Sequence, residues 1–144
     1  FNEIIYFGIA LNISAGLGAY ILGYLEDKVG SKSVILISLV SLICICTIIL
    51  LIESKILFWL LGVSIGFFIG SVQSSSRTTL LKISQEKNLN NMFGLYAVSG
   101  KATNFLGPLL VASLTTLFES QKAGMASIIL FLIVGFIFLY KTKI

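Results

Sequence analysis

The sequence predicts an all-α membrane fold with five transmembrane helices, and three observations carry that reading. Apolar residues make up 57% of the 144 residues and charged residues only 11%, against about 25% charged in a soluble domain; mean hydropathy is +1.04. The apolar residues collect into five runs, each close to the roughly 20 residues that cross a bilayer core as a helix. Finally, seven of the ten basic residues fall at one end of those runs.

The first run, Ile4–Leu25, carries Gly8, Asn12, Gly16 and Gly23, supported by Ala15 and Ala19. These form a small-residue face on which another helix can approach. A short charged segment, Gly23 to Lys32 (GYLEDKVGSK), then turns the chain back into the second run, Ser33–Ile52. Cys44 and Cys46 of that run are two residues apart, so at about 100° per residue they point to nearly opposite sides. They neither bridge each other nor clamp a metal together, and they read as small apolar residues of a packed or lipid-facing helix.

Glu53, Ser54 and Lys55 form a short outer connection to the third run, Ile56–Ser76. Here Gly62, Gly66, Gly70 and Ser74 recur every four residues, a stripe suited to close helix contact. The one long connection, Arg77 to Asn91, sets Leu80, Leu81, Ile83 and Leu89 among polar residues. It reads as an interfacial amphipathic turn or two. The fourth run, Met92–Phe118, contains Pro108, the chain's single proline, which removes a backbone donor and crowds the carbonyl of Asn104. A bend is expected there. Glu119 to Lys122 leads into the fifth run, Ala123–Tyr140, which is mostly Ile, Leu, Phe and Val and is expected to face lipid.

Charge placement sets the orientation. Lys28, Lys32, Arg77, Lys82, Lys87, Lys141 and Lys143 fall on one side and only Lys55 and Lys122 on the other. By the positive-inside rule the first side is cytoplasmic, placing Phe1 outside and Ile144 inside. The basic residues of this +4 chain therefore mark topology, and no nucleic-acid partner is expected. A start on the outer face without an initiator Met or a secretory signal raises the expectation that further chain precedes Phe1.

Lys101 is the one charged residue inside a run. A cation near a helix centre costs about 3 kcal/mol on insertion scales. Counted from Met92 it lies roughly 13 Å along its helix, which leaves two readings: it faces the bundle interior and meets an anionic substrate group or a carboxylate, or it snorkels toward the cytoplasmic face. Its neighbours Tyr96, Ser99, Thr103 and Asn104, with Gln73, Ser74 and Ser76 of the third run and Asn12 and Ser14 of the first, are the polar candidates for a cavity. Each also suits a simple bond to a neighbouring helix.

The chain contains no His, and no metal-ligand cluster or nucleophile–base spacing is readable, so neither an enzyme nor a cofactor is expected. All six acids (Glu3, Glu26, Asp27, Glu53, Glu86 and Glu119) lie at span ends or in connections. An intramembrane carboxylate relay is not expected from this chain alone.

The segment Gly23–Lys32, with Gly23, Asp27, Lys28, Gly30 and Lys32 in register, resembles the loop signature Gly-x-x-x-Asp-(Arg/Lys)-x-Gly-x-(Arg/Lys) of the major facilitator superfamily of transporters. Two further segments narrow the resemblance. Gly66–Leu80 contains Gln73, Ser76 and Arg77 in a Gln-x-x-Ser-Arg arrangement; Met92–Leu110 contains Phe93, Gly94, Tyr96, Ser99, Gly100 and Lys101, then Phe105, Gly107 and Pro108. Together they look like the last five helices of the vacuolar amino-acid-effluxer-like, autophagy-related branch of that superfamily.

The resemblance implies that residues 1–144 form a partial C-terminal six-helix bundle, with the first seven helices of the transporter absent. It implies a secondary active transporter of a small polar solute, amino acids or peptides being the class associated with the branch. Lys101, Asn104, Tyr96, Ser99, Gln73, Arg77 and Asn12 are then the substrate or gating candidates. The implied partners are the bilayer of the cell's inner or plasma membrane, the missing N-terminal helices and the substrate. A different reading is a non-transporting remnant or an accessory multi-span protein whose small-residue faces only assemble with partners.

Overall fold

In a computed structural model, which describes residues 2–84 and 88–142, the chain forms five α-helices: α1 (Asn2–Val29), α2 (Ser31–Leu51), α3 (Lys55–Ile83), α4 (Leu89–Leu117) and α5 (Gln121–Lys141). Among the described residues there is no strand. α1, α2, α3 and α5 are each long and apolar enough to cross a membrane. α4 matches α3 in length at 29 residues. It falls short in apolarity because Ser99, Lys101, Thr103 and Asn104 interrupt its middle.

The helices are longer than the apolar runs that foretell them. α3 continues seven residues past Ser76, so the part of the expected interfacial segment from Arg77 to Ile83 is the last two turns of α3. The expected interfacial turn or two is, over that part, continuous with α3, with Thr79 on its buried side and Leu81 and Ile83 exposed; hydropathy marks where the apolar run ends and not where the helix does. Lys87, Glu86 and Lys143, which enter the charge argument, lie outside the described residues, as do Phe1 and Ile144. α4 runs unbroken through Pro108.

α1 and α3 form the tightest pair. A Cβ built on Gly70 would stand 2.0 Å from the Ala15 carbonyl oxygen, one on Gly66 would stand 2.7 Å from that of Leu11, and one on Gly18 would stand 1.9 Å from that of Phe67. Only glycine permits backbones this close. Ser14 Oγ then donates to the Val63 carbonyl at 2.7 Å across the same seam. The expected α3 stripe is thus a contact face, whereas of the expected α1 face Ala15 lies at the seam but the glycines do not: a Cβ built on Gly8, Gly16 or Gly23 would meet nothing within 4 Å. The contact side of α1 is Phe7, Leu11, Ser14, Ala15 and Gly18, roughly 100° around the helix. Counting small residues found a face; the bulky Phe7 and Leu11, which pack over Gly62 and Gly66, decided which one is used.

α2 leans on α3 and on α5, burying Val34, Ile35, Leu39 and Leu42 and pairing Ser38 with Ser71 at 2.8 Å. α4 and α5 form a hairpin in which Gly124 sits against Thr115 and the Val111 carbonyl. Glu119, at φ 48°, turns the chain between them. Among the described residues α4 touches α5 and a short stretch of α3, but neither α1 nor α2, and it has no buried residue.

Cross-helix contacts fix which ends lie together. Lys55 pairs with Glu3 at 2.8 Å, joining the starts of α1 and α3, and Ile52, Phe58, Gln121 and Lys122 line one cavity at that end. At the opposite end Lys82 reaches Ser31 and Lys32 reaches Tyr140. Lys28, Lys32, Lys82 and Lys141 accordingly share one end of the bundle, and Lys55 and Lys122 the other.

Candidate functional site

The end rich in lysine is built on a one-residue turn. α1 stops at Val29 and α2 starts at Ser31, so Gly30 alone reverses the chain, at φ 88° and ψ 151°. That backbone conformation is accessible to glycine and to almost nothing else. Its N–H still closes a bond to the Glu26 carbonyl at 2.9 Å. The second glycine of the loop pattern is therefore a geometric requirement of the turn.

Asp27 and Lys28 project from this turn and are exposed. Lys28 lies over the Tyr24 ring, 4.9 Å from its centroid. Lys32 points the other way: its Nζ donates to the Tyr140 carbonyl at 3.4 Å and to that of Thr142. A cation at the carbonyl end of a helix is favourable. The closing lysine of the loop pattern thus ties α2 to the end of α5.

Glu26, expected as a charge at a span end, is the buried acid of the segment. It is 4% exposed. One carboxylate oxygen accepts the Ser31 hydroxyl at 2.6 Å, the other accepts the Ser75 hydroxyl at 2.6 Å, and Lys82 Nζ stands 4.0 Å away. Lys82 also donates to Ser31 Oγ at 2.9 Å. Three side chains from two helices, α2 and α3, thus close around one carboxylate of α1. A sequence signal did exist: Ser71, Ser75 and Thr79 repeat every four residues on α3, on the side that turns out to be buried. A cavity of about 330 Å³ opens beside the cluster, lined by Gly30, Ser31, Lys32, Ser33, Thr79 and Lys82.

A second opening, a cleft of about 440 Å³, lies between α1 and α3. Ala15 and Ala19 form one wall and Gly70, Gln73, Ser74, Arg77 and Thr78 the other. The structure therefore brings Gln73 and Arg77 into one cleft. Asn12 is on α1 but donates back to its own helix, to the Gly8 carbonyl at 2.8 Å. On α4, Ser99 donates to the Tyr96 carbonyl at 2.9 Å, and Lys101 and Asn104 are exposed. Among the described residues Lys101 has no hydrogen-bond or ion-pair partner. The α4 candidates are not brought against the cleft, since α4 makes no contact with α1 and little with α3. Among the described residues no His, Cys, Asp or Glu group is arranged to hold a metal.

The loop geometry on a bundle of membrane-crossing helices is joined by direct similarity. The profile of the Major Facilitator Superfamily matches residues 2–143. The chain belongs to the Major Facilitator Superfamily. It is an integral, multi-pass membrane protein whose five helices form part of a facilitator bundle. It is 26% identical over 119 residues to an uncharacterized MFS-type transporter, YxiO, of Bacillus subtilis (strain 168), covering 83% of this chain and 28% of that protein. It is 30% identical over 128 residues to a multi-drug resistance efflux pump PmrA homolog of Lactococcus lactis subsp. lactis (strain IL1403), covering 89% of this chain and 31% of that one. The chain thus spans under a third of the length of these relatives. No solved structure matches it.

Proposed function

We propose that this facilitator chain is the C-terminal portion of a secondary active transporter that moves a small polar solute by alternating access, forming one wall of the pathway. The observation that carries the reading is the turn at Gly30, which presents Asp27 and Lys28 exposed at the end of a closely packed α1–α3 pair. Rocking of two bundles about a site between them requires each to be rigid and to carry contacts that form in one state only. Asp27, exposed and without a partner among the described residues, is the carboxylate suited to meet helix-end donors of the other half.

Solute recognition is assigned to the cleft of Gln73 and Arg77 together with Tyr96, Ser99, Lys101 and Asn104 of α4, with Asn12 at the edge. The two cations favour a solute bearing an anionic group. Amino acids or peptides fit that requirement, and the Met92–Leu110 segment supports placement beside the amino-acid effluxers. The name of the Lactococcus relative points to drug efflux instead, and the two are separable by experiment.

The complete protein containing this chain, reconstituted in proteoliposomes under an imposed proton gradient, is assayed with L-leucine and with ethidium. Transport of either above empty liposomes is expected, leucine being the outcome that supports the anionic solute. Asp27→Asn should slow it while leaving the amount of reconstituted protein unchanged. Movement of neither probe by the complete chain overturns the transporter reading in favour of an accessory protein that only assembles.

A further inference from the structure

We infer that Glu26 is the positioning residue of this corner, holding the α1–α2 turn, and with it Asp27 and Lys28, in fixed register on α3. Its neighbour Asp27 occupies the acidic position of the loop pattern, yet Asp27 is exposed and Glu26 is buried. The two carboxylates are adjacent on one helix and, about 100° apart, face different surroundings. One serves the inside of the bundle and the other its outside.

The argument rests on what each bond ties together. Ser31 is the first residue of α2 and Ser75 lies in α3, so two hydroxyls donating to the two oxygens of one carboxylate join three helices. Lys82 closes the ring by donating to Ser31 Oγ while standing 4.0 Å from Glu26. Hydrogen bonds to an ionised acceptor are about twice as strong as neutral ones. Gly30 cannot hold the turn by itself, because a glycine hinge restricts the backbone least. The register therefore comes from Glu26. The hold extends further: Ser31 is followed by Lys32, which grips the Tyr140 and Thr142 carbonyls, so α5 is tied to the same corner.

Both carboxylate oxygens of Glu26 are taken up by hydroxyls of Ser31 and Ser75, and Ser75 is buried on α3 between Gln73 and Arg77, which line the cleft. What the cluster governs is where the exposed pair Asp27–Lys28 stands relative to α3. The inference rests on the proposal that Asp27 meets the opposite half, and the test separates the two.

In the complete protein, stripped of other reactive cysteines, Thr79→Cys reports on the corner. Thr79 is 7% exposed, lines the cavity beneath the turn, and bonds only to its own helix through the Ser75 carbonyl. Glu26→Ala should raise maleimide labelling of that cysteine in inside-out vesicles by about tenfold, the ratio expected when a charged hydrogen bond is lost. Glu26→Gln, which keeps one acceptor oxygen, should lie between. Ile49→Cys, buried toward the far end of α2, is the control for general loosening and should label at its parent rate.

Unchanged labelling at Thr79→Cys in the Glu26→Ala protein overturns the inference, and so does an equal rise at Ile49→Cys, since either leaves Glu26 without a local positioning role. Asp27→Asn assayed in parallel tells the two proposals apart. If that variant transports normally while Glu26→Ala opens the corner, Glu26 positions the turn and the gating role of Asp27 falls. If Asp27→Asn is slow and the corner stays shut without Glu26, the reverse holds.

Discussion

Gly70 of α3 lies directly against the Ala15 carbonyl oxygen of α1, so close that a Cβ built on it would stand 2.0 Å away. A backbone carbonyl cannot rotate aside as a side-chain tip can, so the two helices must separate to admit even a methyl group. Gly70→Ala is expected to destabilise the bundle by about 1–3 kcal/mol, the usual cost of overpacking. Gly8→Ala, whose Cβ would meet nothing within 4 Å, is expected to leave it unchanged. Melting of the two purified variants by size-exclusion chromatography checks the difference, and equal melting would remove the α1–α3 seam as the principal contact.

The membrane class, the number of helices and the order of their connections were legible because lipid imposes a single strong requirement, a long apolar run, on every span. The cleft and corner were less so. Gly62, Gly66 and Gly70 announce a close contact, but they do not say which face of α1 meets them, and Phe7 and Leu11 settle that only through shape. The burial of Glu26 was not legible because a carboxylate at a helix end reads as a surface charge until Ser31 and Ser75 are brought to it from 5 and 49 residues away. Gln73 and Arg77 share a cleft as residues four apart on a helix must, whereas nothing in the described residues brings Lys101 to them.

Lys32 binds α2 to the last carbonyls of α5, an interaction between residues 108 and 110 positions apart. Lys32→Met keeps the length of the side chain and removes the cation, which near a helix end is worth about 0.3–1 kcal/mol. Amide exchange in the last turn of α5 should quicken by roughly two- to fivefold on that basis, with Lys28→Met as the control, since Lys28 lies over Tyr24 of its own helix. An unaltered exchange rate in Lys32→Met would mean that α5 is held by its packing on α2 alone.

The shared end of Lys28, Lys32, Lys82 and Lys141 makes the orientation testable at described positions. By the positive-inside rule that end is cytoplasmic. A cysteine replacing Lys28 should react with an impermeant maleimide in inside-out vesicles only, and one replacing Lys55 in intact cells only. Both sites are exposed, so access is set by the membrane and not by burial. Labelling of the Lys28 position from outside intact cells would invert the topology.

Lys101 lies in the middle third of α4, which begins at Leu89 and not at Met92. Twelve residues from the start and sixteen from the end, it is roughly 18 Å and 24 Å from the two termini of its helix. Held inside the hydrocarbon, an unpaired ammonium costs about 3 kcal/mol, so a partner for it is the arrangement the prediction tests. α4 has no buried residue among those described, and Lys101 and Asn104, three apart on one side of the helix, are both exposed. The charge is best accommodated against an anionic group of a solute or of the other half. Lys101→Met is therefore expected to insert at parental levels, or slightly above them, while transport by the complete protein falls about tenfold or more, as for a lost charged contact. Lys101→Arg, which keeps the charge in a bulkier form, should retain part of the activity. Transport by Lys101→Met equal to the parent across solute concentrations would show that this ammonium contacts nothing that moves.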